Sequence, residues 1–175
     1  MPEKTGNAAG MVAVMVCEQN RHRGQGERGQ CVEDRPGIAG IDEGDVVGAS
    51  IWAAPDLDGF INTWGTPGMR FDVSDDLAKL GGYVQVLDIF SDSAFLDDCE
   101  LDGRYDYDDG YYRGKYDYFV KCGGQPETRY LILSAVPVDP SRQLIIVVQV
   151  QILNSADLDA VDRILATFDV VGALP

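Results

Sequence analysis

The chain has 175 residues, an ordinary globular composition and a formal net charge of −15 at pH 7, and its length suits one domain with a linker or tail. The acidic charge disfavours nucleic acid and anionic membranes as partners, because both require basic groups on the protein. We expect no membrane insertion, since no apolar run approaches the roughly 20 residues of a spanning helix.

The first 43 residues are predicted to be a flexible N-terminal segment or linker. Residues 18–45 are rich in Gly, Arg, Gln and Glu and have almost no apolar periodicity, so burial cannot offset the entropy of ordering them. The apolar run Ala8–Val16 resembles part of a signal peptide, but Val16 is not the small residue that a cleavage site requires, and we identify no clear signal peptide. A single α+β domain is expected over residues 44–175.

The first part of this domain is predicted to contain strands and short helices. A strand, "VVGASIWAA", precedes a helix whose apolar residues, Leu57 to Trp64, recur at helical spacing. A second strand follows in "GMRFDVS", and Ser74 is placed to cap a turn of helix behind it. The segment after Gly82, "GGYVQVLDIFSDSAF", is predicted to be a second helix.

From Cys99 onward the sequence alternates with period two, which predicts an antiparallel meander. Strand-like runs cover Arg113–Cys122, Thr128–Val138 and Gln143–Ile152, and "LIIVVQVQI" is apolar enough for a central strand covered on both faces. A helix capped by Ser155 and a last strand, "FDVVG", complete the domain. The expected fold is α+β, with an antiparallel meander sheet of about five or six strands and two or three short helices.

Two registers compete for a hairpin between Cys99 and Cys122. A two-residue turn at Asp109 and Gly110 places like charges opposite each other. A four-residue loop, 109–112, pairs opposite charges and places the two cysteines across from each other, so we predict this register. The facing charged pairs are then Asp108 with Arg113, Asp106 with Lys115, and Arg104 with Asp117. The residues expected to share the opposite face are Leu101, Tyr105, Tyr107, Tyr116, Tyr118 and Val120.

Four cysteines in two local pairs predict two disulfides, Cys99–Cys122 and Cys17–Cys31, and an oxidising compartment. Free cytosolic cysteines are the alternative, and a zinc site from Cys17, His22 and Cys31 lacks a fourth ligand.

The only candidate cofactor is a calcium ion near the hairpin turn. Its ligands would be three carboxylates, Asp106, Asp108 and Asp109, although their spacing does not match an EF-hand loop. We therefore predict no cofactor, and a divalent cation bound at this Asp-rich loop is the alternative.

The catalytic possibilities are few. His22 is the only histidine and lies between two arginines in the N-terminal segment, so a Ser-His-Asp triad is not expected. The sequence has no phosphate-binding loop, dinucleotide fingerprint or glycine-framed nucleophile. An enzyme that uses carboxylates alone is the remaining catalytic alternative.

Three segments carry a resemblance to a known type of domain: "APDLDGFINTWGTPGMRFDVSDDL", "CELDGRYDYDDGYYRGKYDYFVKCGG" and "VQVQILNSADLDAVDRILATFDV". Across residues 48–174 the chain resembles a C-terminal accessory domain of secreted bacterial trypsin-like (S1-type) serine proteases. The strand order and last helix are more weakly similar to the α/β sandwich of PsbP and Mog1-like proteins. The protease motifs, including "GDSGG", are missing, so no catalytic residue carries over.

The resemblance implies a non-catalytic module located outside the cell or in the cell envelope. Such a module would bind a protein or cell-envelope partner, through the acidic strand face or near Trp52 and Trp64. The alternative is a stand-alone acidic protein that binds a divalent cation through its Asp-rich loop.

Overall fold

The computed structural model describes residues 13–18, as backbone only, and residues 48–171, without the side chains of residues 94 and 95. Two short 3₁₀ helices, Ala94–Asp98 and Cys122–Gly124, flank the hairpin. The strands and α-helices are β1 (Ala13–Glu18), β2 (Gly48–Ala54), α1 (Leu57–Asn62), β3 (Gly68–Ser74), α2 (Leu77–Leu80), α3 (Tyr83–Ser91), β4 (Glu100–Asp108), β5 (Tyr112–Val120), β6 (Arg129–Pro137), β7 (Ile145–Ile152) and α4 (Ser155–Thr167).

The strands form one antiparallel sheet in the order β1-β2-β3-β7-β6-β5-β4. After β3 the chain crosses through α2 and α3 to the far edge of the sheet, and β4 to β7 then return as a meander. Six strands, β2 to β7, lie within the predicted domain, so the α+β meander of five or six strands is confirmed. Strand β1 extends the sheet beyond β2 and lies in the segment predicted to be flexible; the rest of residues 1–43 lies outside the described residues.

Helices cover both faces of the sheet. Central strand β7 is buried at every position, as its sequence predicted, and therefore requires a layer on each side. Helix α4 packs on one face, here the α4 face, and α2 and α3 pack on the other, here the α3 face. Helix α1 also lies on the α3 face, where it packs on β2 and Phe60 contacts Trp52.

Two helix caps can be compared with the sequence predictions. Ser74 caps the turn before α2, because its hydroxyl accepts hydrogen bonds from the backbone of Asp76 and Leu77. Helix α4 is capped by Asn154 instead of Ser155: the Asn154 side chain accepts from the second and third helical N–H groups. Asp157 completes the capping box by accepting from the backbone of Asn154, so the predicted cap was one residue late.

The predicted last strand, "FDVVG", is not a strand in the described residues 168–171. This segment is instead held by side chains from the sheet. The Tyr112 hydroxyl donates to Asp169 at 2.6 Å and accepts from the backbone of Val170 at 3.0 Å. Arg142 donates to the Val170 carbonyl at 2.5 Å. Both backbone groups of Val170 are therefore satisfied by side chains, without this segment joining the sheet.

A buried carboxylate attaches the β4–β5 hairpin to α3. Asp117 is 1% exposed and accepts two hydrogen bonds from Arg104, at 2.6 and 2.7 Å, and one from Ser91 at 2.6 Å. Arg104 also donates to Asp88 of α3 at 2.7 Å. The hydrogen bonds that Arg104 donates to Asp117 raise the pKa of Arg104 above its already high ordinary value, so the guanidinium remains charged.

Replacing Asp117 is expected to destabilise the domain strongly. Asp117→Ala should lower the free energy of unfolding by about 3 kcal/mol, because Arg104 and Ser91 lose their buried acceptor. Urea denaturation measures this change. Asp88→Ala is the matched control: Asp88 binds the same guanidinium but is mostly exposed, and its loss should cost about 1 kcal/mol or less. Equal losses for the two variants would contradict the assignment of Asp117 as the anchor.

Candidate functional site

The β4–β5 hairpin adopts the predicted four-residue-loop register. The facing pairs are Asp108 with Arg113, Asp106 with Lys115, and Arg104 with Asp117. Each pair joins opposite charges, and Asp106 and Lys115 form an ion pair. The two-residue turn is thereby excluded, because it would have placed Arg104 opposite Lys115.

A β-bulge between Leu101 and Gly103 changes the base of the hairpin. Leu101 is paired with Phe119, so it lies on the α3 face and not, as predicted, on the face of the tyrosines. The paired residues end at Glu100 with Val120, so Cys99 and Cys122 are not directly opposed. The predicted Cys99–Cys122 disulfide is nevertheless present. It joins the ends of the two strands from positions just outside the paired residues.

The three candidate cation ligands have other partners. Asp109 accepts hydrogen bonds from the backbone of Tyr111 and Tyr112, at 2.8 and 2.6 Å, and Asp108 accepts one from Gly110 at 2.9 Å. The loop therefore uses these two carboxylates to satisfy its own N–H groups. In residues 48–171, apart from the two undescribed side chains, no group of three His, Cys, Asp or Glu side chains could hold a metal ion.

Asp109 also connects the loop to α4 through Tyr107. The Tyr107 hydroxyl lies 2.8 Å from the Asp109 carboxylate and 2.6 Å from the carbonyl oxygen of Leu165. Burial and the neighbouring Asp109 raise the pKa of Tyr107, so its hydroxyl stays protonated as a donor. Burial alone would raise the pKa of Asp109, but the backbone N–H groups of Tyr112 and Tyr111 outweigh it and lower that pKa below its ordinary value.

The outer side of the hairpin presents large side chains to solvent. Strand β4 is the terminal strand of the described sheet and pairs only with β5 there. Tyr111 is 79% exposed and Leu101 58% exposed, and Tyr105, 43% exposed, stacks on Tyr116 at 5.2 Å between ring centroids. We call β4, with its exposed side chains Leu101 and Tyr105, together with Tyr111 of the following loop, the β4 edge.

A second group of polar residues lies on the α3 face of β2, β3 and β7, and only its Trp52 was identified from the sequence. The Trp52 indole donates to the Ser50 hydroxyl at 2.9 Å, and Ser50 donates to Asp72 at 2.5 Å. Arg70 Nε lies 2.7 Å from Asp72 Oδ2, and the Arg70 guanidinium lies 4.6 Å from the centre of the Trp52 ring. Trp52 and Arg70 are cross-strand partners, as are Ser50 and Asp72.

Gln149 continues this group onto β7. It is the cross-strand partner of Arg70, and its side-chain oxygen accepts a hydrogen bond from Tyr130 at 3.0 Å. Gln149 is 6% exposed, and its amide nitrogen has no hydrogen-bond partner among the described residues. We call Ser50, Trp52, Arg70, Asp72 and Gln149 the polar strip.

The polar strip lies between two apolar clusters. On the α1 side, Ala54 and Phe60 are packed together with Trp52. On the other side, α2 and α3 pack on Ile145 and Val147 of β7. The strip therefore lies on the surface of the sheet between α1 and the α2–α3 pair. Trp52 and Arg70 remain partly open to solvent.

Trp64, the second predicted contact tryptophan, belongs to the packing around Cys122. Its ring meets Tyr130 edge to face at 5.7 Å and lies beside Gly123. Gly123 has φ +60, and a Cβ there would lie 2.4 Å from the Trp64 ring, so glycine is required at this position. Of the two tryptophans, only Trp52 is part of the polar strip.

The remaining predicted sites fall on the N-terminal segment. His22 and Cys31 lie outside the described residues, and the side chain of Cys17 is not described. The Cys17–Cys31 disulfide therefore stays a prediction. No α-helix of the described residues is long and apolar enough to cross a membrane.

Comparisons of the chain with protein-family models, curated proteins and solved structures gave no match.

The contribution of Asp109 to stability is expected to depend on pH. Asp109→Ala should cost about 1 kcal/mol at pH 7, since two loop N–H groups lose their acceptor. Because the folded state lowers the pKa of Asp109, its contribution is complete above the ordinary carboxyl pKa and is lost as the pH falls below about 4. Urea denaturation at pH 7 and pH 3 measures the change.

Asp109→Asn is the matched control for this experiment. The asparagine oxygen can still accept from the loop backbone, but the side chain does not titrate. It should retain most of the stability at pH 7. A cost of Asp109→Ala that is the same at pH 7 and pH 3 would contradict the role of the ionised carboxylate.

Proposed function

We propose that this chain is a non-catalytic extracytoplasmic accessory module, associated with a secreted trypsin-like serine protease, that binds its protein partner along the β4 edge. The observation that carries the proposal is the exposure of Leu101 and Tyr105 on a terminal strand and of Tyr111 in the loop that follows it. Leu101 and Tyr105 lie on opposite faces of β4, so they flank its open edge from both sides. Tyrosine is enriched at the centres of protein interfaces, and large exposed side chains beside an open strand edge indicate an interaction surface.

The hairpin is suited to present such a surface. The disulfide fixes its base, Asp117 fixes its middle to α3, and Tyr107 fixes its loop end to α4. A surface that is already ordered loses little conformational entropy on binding. An extended segment of the partner could add to the outer edge of β4 through main-chain hydrogen bonds, while the exposed side chains provide specificity.

Two further points support the extracytoplasmic, protease-associated part of the proposal. The Cys99–Cys122 disulfide suits an oxidising compartment. The three segments that resemble the protease accessory domain include α1, the whole hairpin and α4. The cation-binding alternative has less support, because Asp108 and Asp109 already accept the loop N–H groups.

Binding to a protease domain is the direct test of this proposal. The probes are purified trypsin-like serine protease domains of secreted bacterial enzymes, inactivated at the catalytic serine so that they cannot digest the chain. Biolayer interferometry is expected to show saturable binding to at least one of them. Tyr111→Ala and Tyr105→Ser should each weaken this binding about tenfold, as expected for exposed aromatic residues at an interface.

Leu80→Ser is the control, because Leu80 is also a large exposed side chain but lies on α2. It should leave the affinity unchanged. Absence of binding to every protease domain, or an equal loss with Leu80→Ser, would contradict the proposal.

The compartment can be tested separately through the cysteines. The chain recovered without reductant is alkylated under denaturing conditions and mapped as peptides. We expect a linked pair of peptides containing Cys99 and Cys122 and a second pair containing Cys17 and Cys31, both released by reduction. Four alkylated thiols would refute the extracytoplasmic assignment. Cys99→Ser with Cys122→Ser should lower the free energy of unfolding by about 2 to 4 kcal/mol.

A further inference from the structure

The polar strip is separate from the β4 edge and contains hydrogen-bond donors that have no partner among the described residues. Arg70 has five N–H donors, and the described residues bind it only at Nε, through Asp72. Its side chain is 20% exposed. Four N–H donors at the two terminal nitrogens therefore have no hydrogen bond within the described residues, at a position that solvent can reach.

Gln149 adds an independent observation. A buried amide without a partner is costly, and native proteins leave few such groups unsatisfied. Gln149 lies next to Arg70 on the neighbouring strand, on the same face of the sheet, and Tyr130 already binds its oxygen. The group left without a partner is the donor, the amide nitrogen, so it lacks an acceptor.

Three other buried side-chain atoms, on Asp72, Ser134 and Gln151, have no hydrogen-bond partner among the described residues, but they do not indicate a ligand in the same way. Asp72 Oδ2 is an acceptor, and it already lies 2.7 Å from Arg70 Nε in the ion pair. Ser134 is fully buried, and the Gln151 amide nitrogen already donates to the carbonyls of Thr63 and Thr66. Neither is the cross-strand partner of a partly exposed, charged residue on β3. Within residues 48–171, Gln149 is thus the one place where an unsatisfied donor adjoins a second set of donors without described partners.

Trp52 and Asp72 fix the orientation of these donors. The Trp52 ring packs against the guanidinium, and Asp72 holds Nε, so the terminal nitrogens are positioned before any ligand arrives. A guanidinium held in this way matches the two oxygens of a carboxylate. The adjacent Trp52 ring provides an apolar surface for the group that carries the carboxylate.

We propose that the polar strip binds a single carboxylate group attached to an apolar or aromatic moiety, with Arg70 and Gln149 as the donors. The carboxylate is that of a small organic acid or the C-terminus of a peptide. Polyanions are disfavoured, because Asp72 already balances the charge of Arg70 and the whole chain carries a net charge of −15. This site does not depend on the protein partner proposed for the β4 edge.

Titration followed by NMR tests the site on the full chain. The chain contains two tryptophans, so the ¹⁵N-labelled protein has two indole N–H signals, and Trp64→Phe assigns the signal of Trp52. The probes are phenylacetate and a short peptide ending in phenylalanine with a free carboxylate. Each is compared with its amide, phenylacetamide or the amidated peptide, at constant ionic strength set with sodium chloride.

The Trp52 indole signal is expected to shift saturably with at least one carboxylate probe, whereas its amide should bind about tenfold more weakly or not at all. A shift with phenylacetate indicates that a free acid suffices. A shift with the peptide alone assigns the site to a C-terminus. No saturable shift with either carboxylate, or an equal affinity for the amide, would overturn the proposal.

Three variants separate recognition from folding. Arg70→Gln should abolish saturation, and Arg70→Lys, which keeps the charge but loses the planar pair of donors, should weaken binding about tenfold. Gln149→Leu should weaken binding; because it removes the acceptor of the Tyr130 hydroxyl as well as the unsatisfied donor, its melting curve is recorded to show that the variant is folded at the titration temperature. Arg113→Gln removes an exposed charge from the hairpin and should change nothing.

The proposal fails if Arg70→Lys and Gln149→Leu both bind as the unmodified chain does. If Arg70→Gln does not fold, these two variants decide the outcome. If Arg113→Gln weakens carboxylate binding as much as the Arg70 variants do, the proposal is also overturned. The weakening would then follow from the loss of any positive charge and not from the loss of a specific donor.

Discussion

The burial of β7 on both faces is the constraint on which the other elements depend. The strand has eight buried residues in succession and lies between β3 and β6, so water must be excluded above and below it. On one face α4 does this by placing Val161 against the sheet. On the other face α2 and α3 cover only part of the sheet, and α1 covers β2. The polar strip lies on the part of the α3 face between these helices.

The hairpin could be predicted from the sequence because its information is local. Arg104 and Asp117 are 13 residues apart, and once the loop is fixed their pairing follows from counting along two strands. Opposite charges in each facing pair then select one register. The bulge near Gly103 was not predictable in this way, since one extra residue leaves the composition of the strand unchanged while moving Leu101 to the other face.

The polar strip could not be predicted, because its members are distant in the sequence and each looks ordinary in its own strand. Arg70 and Asp72 appear as the solvent-facing positions of an alternating strand, and Gln149 interrupts an apolar run. These residues come together because β3 pairs with β7, across a separation of about 80 residues that contains the three other strands of the meander and two α-helices. The α4 cap and the segment after α4 were missed for a similar reason. Asn154 and Ser155 are both good caps, and only the tertiary position of the helix selects between them.

We expect no energetic coupling between the β4 edge and the polar strip, although a single row of cross-strand neighbours connects them across the sheet. That row runs from Arg70 through Gln149, Ile132 and Asp117 to Arg104. Asp117 and Arg70 are separated by three strand spacings, about 14 Å. Ile132, 1% exposed, interrupts the polar contacts between them. Coupling between charged groups at this distance requires a chain of direct contacts or a movable element, and a buried isoleucine in a central strand is neither. The anchor of the hairpin can therefore change without altering Arg70, and we expect the binding proposed at one surface to leave the other surface unaffected.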